Sequence, residues 1–344
     1  MAKIQKVAEL AGVSTATVSR TLAGKSSVTP ETRARVEAAA KELGYVVSAT
    51  ASSLASGRTR NVGIVMPFLT GWFFTRVLAG AHATLADAGY DLTVYHLDMS
   101  DATGAAERRK RLFAEVLRRK RVDAFIAVSL ELTDGEIDEL HALGKPVVGV
   151  GGEMKGTRTL AIDDAAAMRL ATQHVISLGH TVVAHIAGAP ELDRDFRIGA
   201  ARRAAYEATL REAGLVIDER LVSSADFTMD GGYRAALQLL GDPSVAPTAL
   251  VCASDEMAMG ALLAARDLGR EVPHDLSVVG IDGHTLGEFW GLTTVAQYPE
   301  DQGRLAAEAL LRELDGEEVA KEHFSVPFKL VVRRSTRAPQ PQRP

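Results

Sequence analysis

Hydrophobic residues change their spacing twice along the chain. Up to residue 45 they recur at helical intervals. Val7, Leu10, Val13, Val18, Leu22, Val36 and Leu43 fall where three helices, at 4–11, 15–23 and 31–43, would share one small core. The stretch VVSATASSLASGRTR (46–60) breaks that periodicity with Ser, Ala and Thr. Beyond it, uniformly apolar runs alternate with amphipathic ones. The apolar runs are VGIVM (62–66), LTVYH (92–96), AFIAV (124–128), PVVGV (146–150), VVAHIA (182–187), ALVCA (249–253) and SVVGI (277–281). Helical patterns lie between them near 73–88, 104–120, 133–143, 164–178, 198–213, 230–240 and 254–268. Strands without a polar face predict parallel sheets covered by helices on both sides. Seven such units are too many for one compact sheet. The pattern therefore predicts an N-terminal all-α helix-turn-helix head and an α/β core of two doubly wound parallel-sheet subdomains.

Local chemistry sharpens the head. Two short runs hinge at Gly12-Val13, Ser14 is placed to cap the second, and Thr29-Pro30 makes a good start for the third. Ala8 and Gly12 are small where the first two helices should approach. A helix-turn-helix lays the start of its second helix in the DNA major groove. The DNA-facing residues are then Ser14, Thr15, Ala16, Thr17, Ser19 and Arg20. Arg20 has the fork to read guanine, while Thr15 and Ala16 suit a thymine methyl or a phosphate.

Charge agrees with that reading. The net charge of −5 conceals nine Lys or Arg against four Asp or Glu in residues 1–60, and 30 against 40 in the remainder. A basic head on an acidic body points to a polyanionic partner for the head. Composition is otherwise ordinary for a globular protein, 47% apolar and 24% charged. The single cysteine, Cys252, lies in an apolar run, which excludes an intrachain disulfide and suits a reducing cytoplasm. With no apolar leader and no run of 18 apolar residues, the expectation is a cytoplasmic protein without a membrane span.

Catalytic and cofactor motifs are missing. GVGGEM (149–154) imitates a dinucleotide loop, but Met154 replaces the third glycine and no helix precedes the next apolar run. The sequence has no Walker loop, GxSxG elbow, HExxH or spaced metal ligands, so neither enzyme chemistry nor a cofactor or metal is expected. The basic run ERRKRLFAEVLRRKR (107–121) reads as a solvated helix with Glu107/Arg111 and Glu115/Arg119 pairs.

The residues also carry a resemblance. VAELAGVSTATVSRTL (7–22) and VTPETRARVEAAAKELGY (28–45) resemble the DNA-binding domain of the lactose/galactose repressor (LacI/GalR) family. The similarity continues in order through LGH (178–180), RIGAARRAAY (197–206), ASDEMAMGAL (253–262), VPHDLSVVGID (272–282) and LTTVAQ (292–297). It implies a head at 1–46 and a hinge helix at 47–60. In the hinge, Leu54 would wedge into the minor groove beside Ala51. Val47 stands where the family usually has proline. The core at 61–332 would be periplasmic-binding-protein-like, with lobe one at 61–161 plus 291–322 and lobe two at 162–290 plus 323–332. The proline-rich tail at 333–344 is expected to be flexible. It lacks the leucine heptads of tetrameric relatives, which favours a homodimer.

Ligands of such folds sit at the carboxyl ends of strands, between the lobes. The residues so placed are Trp72, Phe73, Arg197, Phe227, Ser254, Asp255, Asp282, His284 and Gln297. The resemblance makes Asp282 an acceptor for sugar hydroxyls or base nitrogens and sets Phe227 against the ligand. Gly71-Trp72 replaces the family's Asn-Pro, and Gly151 stands where some members have an aspartate. The implied function is a repressor of carbohydrate-utilisation genes, binding pseudo-palindromic double-stranded operator DNA under control of a sugar or glycoside effector. The alternatives are a regulator answering to a nucleobase and a solute-binding protein without a DNA role.

Overall fold

The computed structural model describes residues 4–22, 28–45, 57–97, 107, 109–111, 113, 121–130, 132–189, 198–242 and 244–340. It forms two units, residues 1–60 and 61–344.

In the first unit, α1 (Ile4–Ala11), α2 (Thr15–Leu22) and α3 (Pro30–Glu42) enclose Val7, Val18 and Val36, all without solvent exposure, together with Ala8, Ala11, Ala39 and Ala40. Thr29 caps α3 by accepting from the Thr32 N–H. Two expectations change. Leu10 is 49% exposed and lies outside the core, because its neighbours Val7 and Ala11 hold the inward stripe of α1. Gly12 serves a backbone need and no close packing: its φ is +65°, and a Cβ there would meet nothing within 4 Å.

The second unit holds two six-stranded sheets. Lobe one comprises β1 (Asn61–Met66), α4 (Trp72–Asp87), β2 (Asp91–His96), β3 (Ala124–Val128), α5 (Asp134–Ala142), β4 (Val147–Val150) and β5 (Arg158–Ala161). Lobe two follows with α6 (Asp164–Ser177), β6 (Val183–Gly188), α7 (Ile198–Glu212), β7 (Val222–Ala225), α8 (Met229–Gly241), β8 (Ala249–Cys252), α9 (Asp255–Asp267), β9 (Ser277–Asp282), a four-residue α10 (Gly287–Trp290) and β10 (Thr293–Ala296). The chain then returns through α11 (Pro299–Leu314) and β11 (His323–Ser325), and ends on β12 (Lys329–Val331). The strand orders are β11-β5-β4-β3-β1-β2 and β12-β10-β9-β8-β6-β7. All pairings are parallel except β12 on β10. Strands such as β3 and β8 are buried along their whole length, as two-sided helical cover demands.

The expected lobe boundaries are corrected at two places. β10, expected in lobe one, pairs with β9, from Thr293 beside Val279 to Ala296 beside Asp282. β11, expected in lobe two, pairs with β5 in lobe one. The three crossovers thus follow β5, β10 and β11. Three- and four-residue strands have an apolar pattern too short to name their sheet.

The tail is also corrected, since residues 333–340 are pinned to lobe two. Ser335 is buried, its carbonyl accepts from the Val278 N–H at 2.8 Å, and its hydroxyl accepts from the Thr293 N–H at 2.8 Å. The Arg337 N–H and carbonyl both engage the Ser277 hydroxyl, and His180 Nε2 lies 2.9 Å from that carbonyl. Proline-rich composition forbids a helix here but leaves an extended segment free to lie across the amino ends of β9 and β10.

Arg109, from the basic run, grips Glu136 on α5 with two bonds of 2.5 and 2.7 Å. The Glu115/Arg119 pair expected there lies outside the described residues. No helix among the described residues is long and apolar enough to cross a membrane.

Candidate nucleic-acid interface and ligand cleft

On α2, Val18 and Thr21 point inward, and Thr15, Ala16, Ser19 and Arg20 form one exposed face. Ser14, also exposed, caps the helix by accepting from the Thr17 N–H at 3.2 Å. Thr17 is half-buried, and its hydroxyl lies 2.9 Å from that of Ser14. Arg20 folds back on its own helix, donating from Nε to the Ala16 carbonyl at 3.3 Å. The face is thus short polar side chains and one guanidinium, with no acid in the first turn of the helix. Ala51 and Leu54 lie outside the described residues.

In the core, the carboxyl ends of β8, β9 and β10 bring together most of the polar residues expected there. Asp282 ends β9 with φ +141°, a conformation that L side chains rarely adopt. Its carboxyl accepts from Gln297 Nε2 at 2.6 Å and from the Asp255 N–H at 3.3 Å. Asp255 Oδ2 accepts from the His284 N–H at 2.7 Å and the Thr294 hydroxyl at 2.9 Å. Burial raises both carboxyls above the ordinary aspartate range, and the Asp255 charge raises Asp282 further. A protonated Asp282 gains a donor, so this carboxyl is equipped to meet either hydroxyl atom of a neutral ligand.

Not every residue of this cluster faces the cleft. Asp255 has no solvent exposure and braces the 282–284 turn, so its expected ligand contact is corrected to a supporting role. Ser254 is also buried, and its hydroxyl caps α9 by accepting from the Met257 N–H. His284 is held below its usual range by burial, so it stays neutral and Nδ1 accepts from the Leu286 N–H at 3.0 Å.

Rings come mainly from lobe one. Phe74 links two rings, tilted against Phe68 at 5.4 Å and 58° and edge-on to Phe73 at 5.5 Å and 87° between centroids and planes. Trp72 stacks on His284 at 4.9 Å and 30°. In lobe two, Phe227 has φ +60° and its ring covers Gly188 at the end of β6, where a Cβ would come within 2.5 Å of the ring. Arg197 lies outside the described residues. Gly151, at the end of β4, has φ +86°, and a Cβ there would lie 2.5 Å from Ser129 Oγ. An aspartate therefore does not fit this position without rearrangement.

Three residues escaped the sequence reading. Arg202 is buried, donating to Asp164 Oδ1 from Nε at 2.9 Å and to the Ala253 carbonyl from Nη1 at 2.5 Å, which ties α6, α7 and β8 together. Ser129 ends β3 with φ +46° and is buried beside Gly151. Glu256 reaches from α9 to the Trp72 N–H at 3.2 Å. Arg202 stands inside RIGAARRAAY (197–206), a signal that was available. Ser129 and Glu256 act through tertiary position, which left no local sign.

Fold and sites together define a class, a small helix-turn-helix head with a two-lobed, periplasmic-binding-protein-like core. A model for the lacI family of bacterial regulatory proteins matches residues 3–48, and one for a periplasmic binding protein-like domain matches residues 172–336. The HTH-type transcriptional repressor CytR of Escherichia coli K12 is 32% identical over 342 residues, covering 98% of this chain and 97% of CytR. Among solved structures, the transcriptional regulator CelR in complex with cellobiose is 32% identical, with TM-score 0.70 over 97% of this chain and 100% of that one. The Lac repressor dimer bound to operator and the anti-inducer ONPF superposes with TM-score 0.83 at 26% identity, over 98% and 99%. The chain belongs to the lacI family of bacterial regulatory proteins and is a helix-turn-helix transcription regulator.

Proposed function

We propose that this regulator is a cytoplasmic, homodimeric repressor whose operator affinity is set by a neutral sugar or glycoside in the cleft. The observation that carries the effector reading is the Asp282–Gln297 pair at the mouth of β9, opposite the rings of lobe one. A carboxyl held near its neutral form recognises hydroxyls without demanding a charged partner, and aromatic faces suit sugar CH surfaces. The CelR–cellobiose complex supports this ligand class.

Leu286, Phe289 and Trp290 are exposed on and beside the short α10, and such an apolar patch favours a second copy. Two-fold symmetry then calls for a pseudo-palindromic operator. Leu54, expected in the hinge at 47–60, would be the minor-groove wedge on that site. Ligand-driven movement of the lobes needs only about 3–4 kcal/mol of differential binding to change operator affinity a hundred- to thousandfold.

Gel shifts with genomic fragments in moderate salt test the DNA reading, and no sequence-preferring complex under any effector condition would overturn it. Arg20→Ala should weaken specific binding by about 1–3 kcal/mol, the worth of a bidentate base contact. A panel of sugars and nucleosides, scored by thermal upshift, tests the effector class. Upshifts confined to nucleosides would replace the sugar reading with the nucleobase one.

A further inference from the structure

The two lobes meet at the start of α4 in a contact that neither the cap rules nor the ligand reading explains. The residue before the helix, Gly71, has φ +96° and no side chain with which to cap it. The Trp72 N–H, one of the unpaired donors of the first turn, is instead taken by Glu256 Oε2 at 3.2 Å. Glu256 stands on α9, in the other lobe and 184 residues further along the chain. A carboxylate at a helix N-terminus also interacts favourably with the helix dipole. The Trp72 ring is held from the same side, stacked on His284. His284 is itself fixed by Asp255 and by the Leu286 N–H. The indole Nε1 is buried without a partner, so the ring is not placed by its own hydrogen bond.

We propose that Glu256 is a positioning residue: it caps α4 from the opposite lobe, clasps the two lobes together, and seats the Trp72 ring against His284 without an effector. Gly71 is part of the device: its φ of +96° suits glycine, and a Cβ there would lie 3.9 Å from the Glu256 Oε2 that takes the Trp72 N–H. Trp72 thereby becomes a fixed wall between the lobes. The use of that wall in effector recognition rests on the cleft reading above, whereas the clasp itself does not.

The chain has two tryptophans, Trp72 and Trp290, so Trp290→Phe leaves Trp72 as the only indole reporter. In that full-length background and without ligand, Trp72 emission should be blue-shifted, weakened by the imidazole and poorly quenched by acrylamide. Adding Glu256→Ala should redden and brighten the emission and raise the quenching constant roughly twofold or more, as expected from losing a charge-assisted bond. Small-angle scattering should show a larger radius of gyration. Glu256→Gln retains an acceptor oxygen without the charge and should give an intermediate shift. It keeps the test readable if the alanine variant fails to fold, which circular dichroism and a melt would reveal. Emission, quenching and scattering unchanged in the folded variants would overturn the clasp. A ligand panel without upshifts would sink the effector reading and leave this result standing.

Discussion

The two lobes have one topology and two chemistries. Advancing strands β1 to β5 of the first sheet by five, and β11 by one, reproduces the order of the second. Only the last strand differs in sense, since β11 joins its sheet parallel and β12 antiparallel. At the strand ends, however, lobe one presents rings and small residues: Trp72, Phe73, Phe74, Ser129 and Gly151. Lobe two buries Asp255, Asp282, Arg202, His284 and Gln297 in hydrogen-bonded contact with one another or with the surrounding backbone. The same scaffold therefore carries ring packing in one half and a buried polar network in the other, which is why function is argued from sites and not from folds.

If the polar cluster of lobe two is also a stability element, the largest effect should come from its brace. Asp255→Ala strands the His284 N–H and the Thr294 hydroxyl in a buried setting and should cost about 3 kcal/mol in urea denaturation. A loss below 1 kcal/mol would mean the cluster is dispensable to the lobe.

Asp282→Asn should act in the opposite direction on stability. Burial and the Asp255 charge raise the folded Asp282 carboxyl above its ordinary 3.8, so the ionised form is disfavoured in the fold. Removing it should stabilise the core by about 1–2 kcal/mol at pH 8 while abolishing the effector response. The advantage should shrink as pH falls through the raised value, where the parent takes up its proton, and vanish near 3.8. Melts of parent and variant across pH 4–8 check this, and a constant difference would assign the effect to packing.

The smallest effect belongs to lobe one. Phe73→Leu removes one edge-on ring contact and should cost about 1 kcal/mol or less. Its signature should be a weaker effector upshift with operator affinity unchanged. A stability loss matching that of Asp255→Ala would erase the contrast between the lobes.

Much of this was legible from pattern. α1, α2 and α3 lie within a residue or so of their expected bounds, because apolar spacing and the caps at Ser14 and Thr29 are local signals. The long buried strands β1, β3, β6, β8 and β9 are equally plain, since both faces are apolar. β5, β7, β11 and β12 were missed, as three or four residues that include polar positions carry no readable period, and α11 was not among the expected helices. Within the cluster, that Asp282 and Gln297 stand at strand ends was legible, although Gln297 was expected in the other lobe. The burial of Asp255 and the reach of Glu256 to Trp72 were not.

The sequence by itself determined the head helices, most core helices and the most apolar strands, that a basic helix-turn-helix head precedes an α/β core, and which residue types stand at the strand ends. Those are properties of neighbours three or four positions apart, where backbone propensity and side-chain periodicity act. Only the tertiary structure decided that β10 and β11 exchange lobes, that residues 333–340 dock on β9 and β10, that Asp255 braces while Asp282 faces the cleft, and that α4 takes its cap from Glu256. Each of these depends on which groups lose water together, and the partners lie from 14 to 184 residues apart. No local pattern records that pairing.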